Sequence, residues 1–195
     1  MSFTIRCSCW FARSAVREPQ GRVGGGAMKY ELKSISKAGI AEAIAKVELY
    51  RYLNEPEEAE SICRDILAID PQHQLALRFL GLTITDQFVG AATDRCQEVE
   101  GIFQKLSDRY ERLYYTGILF ERRAKAQLLA GQPPHTLLPH LERALGCFGE
   151  AEKIRPASND DAILHWNRCV RLLRTRGYAW EEELVSFDAH DTPPT

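Results

Sequence analysis

The sequence predicts an all-α chain, an α-solenoid of about three helix pairs followed by a C-terminal capping segment. Three observations predict it. Residues 57–81 carry two amphipathic helices: Ala59, Ile62, Cys63, Ile66 and Ile69 share one face, and Leu77, Leu80, Ile84 and Phe88 share another. The spacing of Ala59, Cys63, Ile66 and Pro71 returns at Ala144, Phe148, Ala151 and Pro156. One such helix pair cannot bury both apolar faces, so similar pairs must stack on either side.

These residues resemble the tetratricopeptide repeat. That family places a small residue, a large apolar residue, a second small or apolar residue and a Pro in one helix, as Ala59, Cys63, Ile66 and Pro71 do here. Leu80-Gly81 with Ile84 is similar to the Leu-Gly and aromatic positions that open the family's next repeat. The resemblance implies a right-handed solenoid over 38–177 and a non-catalytic scaffold. Its partner protein or peptide would lie on a concave surface lined by the first helix of each pair. Some members capture chaperone C-terminal carboxylates with Lys and Asn. The corresponding positions here hold Ile44, Glu48 and Phe79, so co-chaperone activity is not implied.

The elements follow in order. The N-terminal extension, 1–37, is expected to lie outside the fold, largely disordered. Residues 1–27 hold Arg6, Arg13, Arg17 and Arg22 against Glu18 and end in Gly24-Gly25-Gly26-Ala27. Their composition fits a transit peptide, and their glycines fit translated ribosome-binding sequence upstream of a true start at Met28; the second is the expectation. Cys7 and Cys9 lack the second ligand pair a zinc site needs. A first helix over 38–53 follows from Ile40, Ala43, Ile44, Val47, Tyr50 and Leu53, with Asn54-Glu55-Pro56 breaking it. A second runs over 57–69. Asp70 is expected to cap the third (73–88), with Pro71 as its first residue. Gly81 lies in the apolar stripe of that helix, where a bare Cα lets a neighbour approach. Cys96, Val99, Phe103, Leu106 and Tyr110 predict a helix over 95–109, and Leu113, Gly117, Phe120, Ala124 and Leu128 one over 111–130. Gly131-Gln132-Pro133-Pro134 ends it. The next helix, 137–154, holds Pro139 in its first turn. The last starts at Ser158-Asn159-Asp160-Asp161 and is expected to stop at Gly177. The segment 178–195 is read as a cap, with Trp180, Leu184, Val185 and Phe187, and a disordered tail.

Composition narrows the function classes. The chain has 195 residues, 27% charged, with a formal net charge of −2, which gives no overall pull toward nucleic acid or anionic lipid. No apolar run reaches bilayer-spanning length, so no membrane span is expected. Cysteines lie mostly on predicted helices, which favours reduced thiols and a cytoplasmic setting. No Ser/His/Asp arrangement, phosphate loop or zincin motif is present, so no catalytic residue, cofactor or metal is expected. His135 and His140 stand five apart, off the spacing that puts two ligands on one helix face.

Two features point to a partner surface. Residues 55–108 carry an excess of acids and residues 109–177 an excess of bases. Arg168, Arg171 and Arg174 are spaced along one helix as a docking strip for an acidic peptide. Tyr114 and Arg122, in a cluster with Tyr110, Tyr115, Arg109 and Arg112, could line a peptide groove. Solvation, for the arginines, and core packing, for the tyrosines, compete with these readings. The expectation is an adaptor for a protein or peptide, with an accessory subunit of an enzyme or nucleic-acid complex, or head-to-tail self-assembly, as alternatives.

Overall fold

The computed structural model describes residues 30–89 and 95–188, with side chains described as far as Thr175, Pro134 apart. The expectations for residues 1–29, among them Met28, Cys7 and Cys9, and for 189–195 lie outside the described residues. Everything described from Ser34 onward belongs to one compact unit.

Among the described residues, a 3-10 turn at Lys37–Gly39 is followed by seven α-helices: α1 (Ile40–Tyr52), α2 (Pro56–Ile69), α3 (Gln74–Asp86), α4 (Cys96–Phe103), α5 (Arg109–Leu129), α6 (Pro134–Lys153) and α7 (Asp161–Asp188). The described residues are helical throughout their regular structure, as expected for an all-α chain. None of these helices is long and apolar enough to cross a membrane.

Each helix packs on the next in sequence, and α1 touches α3, α3 touches α5, and α5 touches α7. The odd-numbered helices therefore form a continuous layer, with the even-numbered helices packed against it. The sequence shows what draws each pair together. A Cβ at Gly81 of α3 would collide with the ring of Phe103 on α4, and one at Gly117 of α5 would collide with the ring of Phe148 on α6. Both rings are fully buried. A glycine on the odd helix facing a phenylalanine on the even helix thus sets two of the close contacts. In the first pair Val47, Ala59 and Cys63 are all fully buried in the same core.

Several boundaries differ from expectation. Asp70 ends α2 instead of capping α3; its carboxylate accepts from the backbone N–H of Gln72 (3.3 Å), and Pro71 lies in the turn. His73 is the cap, its Nδ1 accepting from the Ala76 N–H at 3.2 Å. The expected 95–109 helix is shorter. It closes at Phe103, Leu106 is buried in the following turn, and Asp108 caps α5 by accepting from the Glu111 N–H at 3.0 Å. Tyr110 therefore belongs to α5. The helix α6 starts at Pro134, so Pro139 sits past the first turn and leaves the His135 carbonyl without its helical donor. Finally, α7 continues through Gly177 to Asp188. A lone glycine costs a helix only about 1 kcal/mol, and the helix formers at Glu181, Glu182, Glu183 and Leu184 follow it. The breaks at Asn54 (φ 61°) and Gly131 (φ 73°) fall where the sequence places them.

An ionic cluster pins α2 to the start of α4. The Glu60 carboxylate accepts from Arg95, Arg64 (2.6 Å) and Gln87 (2.7 Å), and Arg64 reaches on to Glu98 at 2.8 Å. Hydrogen bonds from Arg95, with those from Gln87 and Arg64, outweigh burial and hold the Glu60 carboxyl at about 2, below its ordinary 4.5. A depressed carboxyl stabilises the fold above its unfolded pKa, and that stability is lost as pH falls through the folded value. Urea titrations between pH 6 and about pH 2 should therefore show Glu60→Gln losing less stability than the wild type, by on the order of 2 kcal/mol after allowing for solvent screening at half-exposed Arg64.

Candidate functional site

The odd-helix layer holds a recess of about 270 Å³. Its lining comes from all four odd helices: Arg51 of α1, Leu82 of α3, a run on α5, and Asp161, His165 and Arg168 of α7. The α5 residues form two interleaved rows, Tyr114, Ile118, Glu121, Lys125 and Tyr115, Ile118, Arg122, Lys125, each advancing by three or four, so they share one helical face.

Two ionic knots hold the recess together. In the first, Asp86 of α3 accepts from Arg51 Nε of α1 at 2.9 Å and pairs with Arg122 of α5. Arg122 also donates to the Leu82 carbonyl (3.0 Å) and to Thr85 Oγ1 (2.6 Å). In the second, Glu121 is 1% exposed. Its Oε1 accepts from Lys125 Nζ at 2.5 Å and forms an ion pair with Arg168 Nε at 3.2 Å, and its Oε2 lies 2.6 Å from His165 Nδ1. Burial pushes the Glu121 carboxyl up, but the hydrogen bonds from His165 and Lys125 prevail and hold it below the ordinary value. Burial lowers Lys125, against the pull of Glu121. Together the knots tie α1 to α3, α3 to α5, and α5 to α7.

The apolar wall is aromatic. Tyr114 stacks on Tyr110 (5.7 Å between centroids, 7° between planes) and meets Tyr115 and His165 edge-on at 5.0 and 5.6 Å. Burial raises the Tyr114 and Tyr115 phenols, so both stay protonated near neutral pH.

Of the residues singled out from sequence, Tyr114, Arg122 and Arg168 meet at this recess. Arg171 and Arg174 do not line it. They are exposed on α7, with no ion pair among the described residues. Steps of three residues drift around a helix, so Arg168 and Arg174 point ~120° apart and the strip does not act as a unit. Sequence reasoning passed over Glu121, Lys125, His165 and Arg51. Glu121 did carry a signal: a charged residue one position from Phe120 on a helix whose neighbours Gly117 and Ala124 belong to the apolar stripe.

Elsewhere, His135 and His140 both lie on α6, and the His140 ring stacks on Phe120 at 6.4 Å. Among the described residues no group of His, Cys, Asp or Glu is placed to hold a metal ion. Cys63, Cys96 and Cys169 are buried free thiols; burial pushes Cys63 and Cys169 up to about 12, so neither is a reactive thiolate. Comparison of the chain with protein-family models, curated proteins and solved structures finds no match.

Proposed function

We propose that the protein is a non-catalytic scaffold, a right-handed solenoid of tetratricopeptide-like helix pairs, and that its odd-helix face takes an acidic segment of a protein partner. The observation that carries this reading is the recess itself. Arg51, Arg122, Lys125 and Arg168 surround it against the carboxylates of Asp86, Glu121 and Asp161, leaving a positive excess before His165 is counted. The first helices of the pairs line it, as a solenoid's inner surface requires. Buried free thiols fit a cytoplasmic setting. An enzymatic reading would use the same groups. It is disfavoured because both oxygens of the buried Glu121 are already engaged, by Lys125 and Arg168 on one side and His165 on the other, so this carboxylate is not free to act as a base.

The test is a fluorescence-anisotropy titration of a short Asp/Glu-rich peptide. Affinity should fall with rising salt, and Arg168→Glu should weaken it about tenfold, the scale of one reversed charge at an interface rim. Arg171→Glu should leave it unchanged. Absence of binding, or equal loss in both variants, contradicts the reading.

A further inference from the structure

The recess offers more donor capacity than its own acids consume. Arg51 uses Nε on Asp86, and Arg168 uses Nε on Glu121. Among the described residues their terminal NH groups have no hydrogen-bond partner; Arg122 spends its NH1 on Leu82, Thr85 and Asp86. Three guanidinium groups from three helices, α1, α5 and α7, thus line one small space, and those of Arg51 and Arg168 keep spare N–H donors. A carboxylate has two oxygens in one plane and satisfies one fork. A phosphoryl group has three oxygens in a tetrahedral arrangement and close to two charges near neutral pH, so it can be gripped from several directions at once. The lining also includes Tyr114, Tyr115, Ile118 and Leu82, an apolar surface that suits a flat apolar body. A volume of about 270 Å³ lies just below the usual range for small-molecule sites, room for one side chain rather than an extended ligand.

Two of the three local acids are already paired. Glu121 is covered, with Lys125, His165 and Arg168 on its oxygens. Asp86 is held between Arg51 and Arg122. Asp161, exposed at the start of α7, is the one acid of the lining that remains, against the four bases Arg51, Arg122, Lys125 and Arg168.

Resting on the scaffold reading above, we infer that the recess formed by Arg51, Arg122 and Arg168 against the Tyr114–Tyr115 wall binds an aryl phosphate monoester, presented as a phosphorylated tyrosine side chain on the partner protein. No covalent step is involved; the site binds the ester.

The test uses the full chain and one short acidic peptide in three forms: with Tyr, with phosphotyrosine and with Glu at the same position. Phenyl phosphate alone is the fourth probe. The phosphorylated form should bind about tenfold tighter than the other two, the difference expected from an added pair of charge-assisted hydrogen bonds. Arg168→Gln and Arg51→Gln should remove most of that preference, and Arg171→Gln should not. Both recess side chains are partly exposed, so folding is expected to survive, and circular dichroism checks it. Phenyl phosphate binding as tightly as the phosphopeptide would support the site and make the free ester its occupant. Equal binding of the three peptides overturns the phosphate inference and leaves the acidic-peptide reading standing. No binding by any probe overturns both. A preference that survives in Arg168→Gln and Arg51→Gln places the phosphate elsewhere and also overturns it.

Discussion

Phe148→Ala is expected to destabilise the fold by about 4 kcal/mol, measured as a shift in the urea midpoint at unchanged slope. The ring is fully buried and sits where Gly117 leaves space for it. It also lies 5.5 Å from His165 and 6.1 Å from Tyr114, so its loss removes support from α5, α6 and α7 together. The glycine supplies a second, sharper test. Gly117→Ala in the wild type drives a Cβ into the ring and should cost roughly 1–3 kcal/mol. In the Phe148→Ala background the same Cβ enters vacated space, so the second substitution should be close to neutral. The cycle should thus return a coupling of about 1 kcal/mol or more. Additive effects would mean that the two residues do not touch.

Glu121→Ala is expected to cost about 3 kcal/mol, the low end for breaking a buried ion pair. The low end applies because Lys125, His165 and Arg168 keep some access to water (27%, 25% and 59% exposed) and can resolvate when their acceptor is gone. In thermal unfolding this corresponds to a midpoint lower by roughly 6–12 °C for a domain of this size. The pH dependence distinguishes lost charge from lost packing. The folded Glu121 carboxyl lies below its ordinary value, so its contribution is full above the unfolded pKa and disappears as pH falls through the folded one. The gap between wild type and Glu121→Ala should therefore narrow below about pH 4. A gap that persists unchanged in acid would assign the effect to packing alone.

The layered helices were legible in the sequence because packing writes itself as period. The stripes through Ala59, Cys63 and Ile66 and through Ala144, Phe148 and Ala151 are buried as expected, and Gly81 meets its ring. What the sequence obscured was of two kinds. Local competition decided the ends: an Asx turn at Asp70 displaced the start of α3, Asp108 captured the start of α5, and strong helix formers carried α7 past Gly177. Long-range pairing decided the site. Arg51 and Asp86 are 35 residues apart, and Glu121 and His165 are 44 apart. No local pattern couples such residues; only the stacking of odd-numbered helices brings them together. The arginine series on α7 looked like a strip when written as text, while the helix turns Arg168 toward Glu121 and leaves Arg171 and Arg174 in solvent.

The proposed binding surface is one face, the odd-helix layer around Glu121. Hydrogen exchange with and without the acidic peptide measures this most directly. Exchange should slow in peptic fragments covering 110–125 of α5 and 161–170 of α7, with little change across 57–69 of α2 and 140–153 of α6. Protection confined to α2 and α6, or spread evenly over the chain, would contradict it.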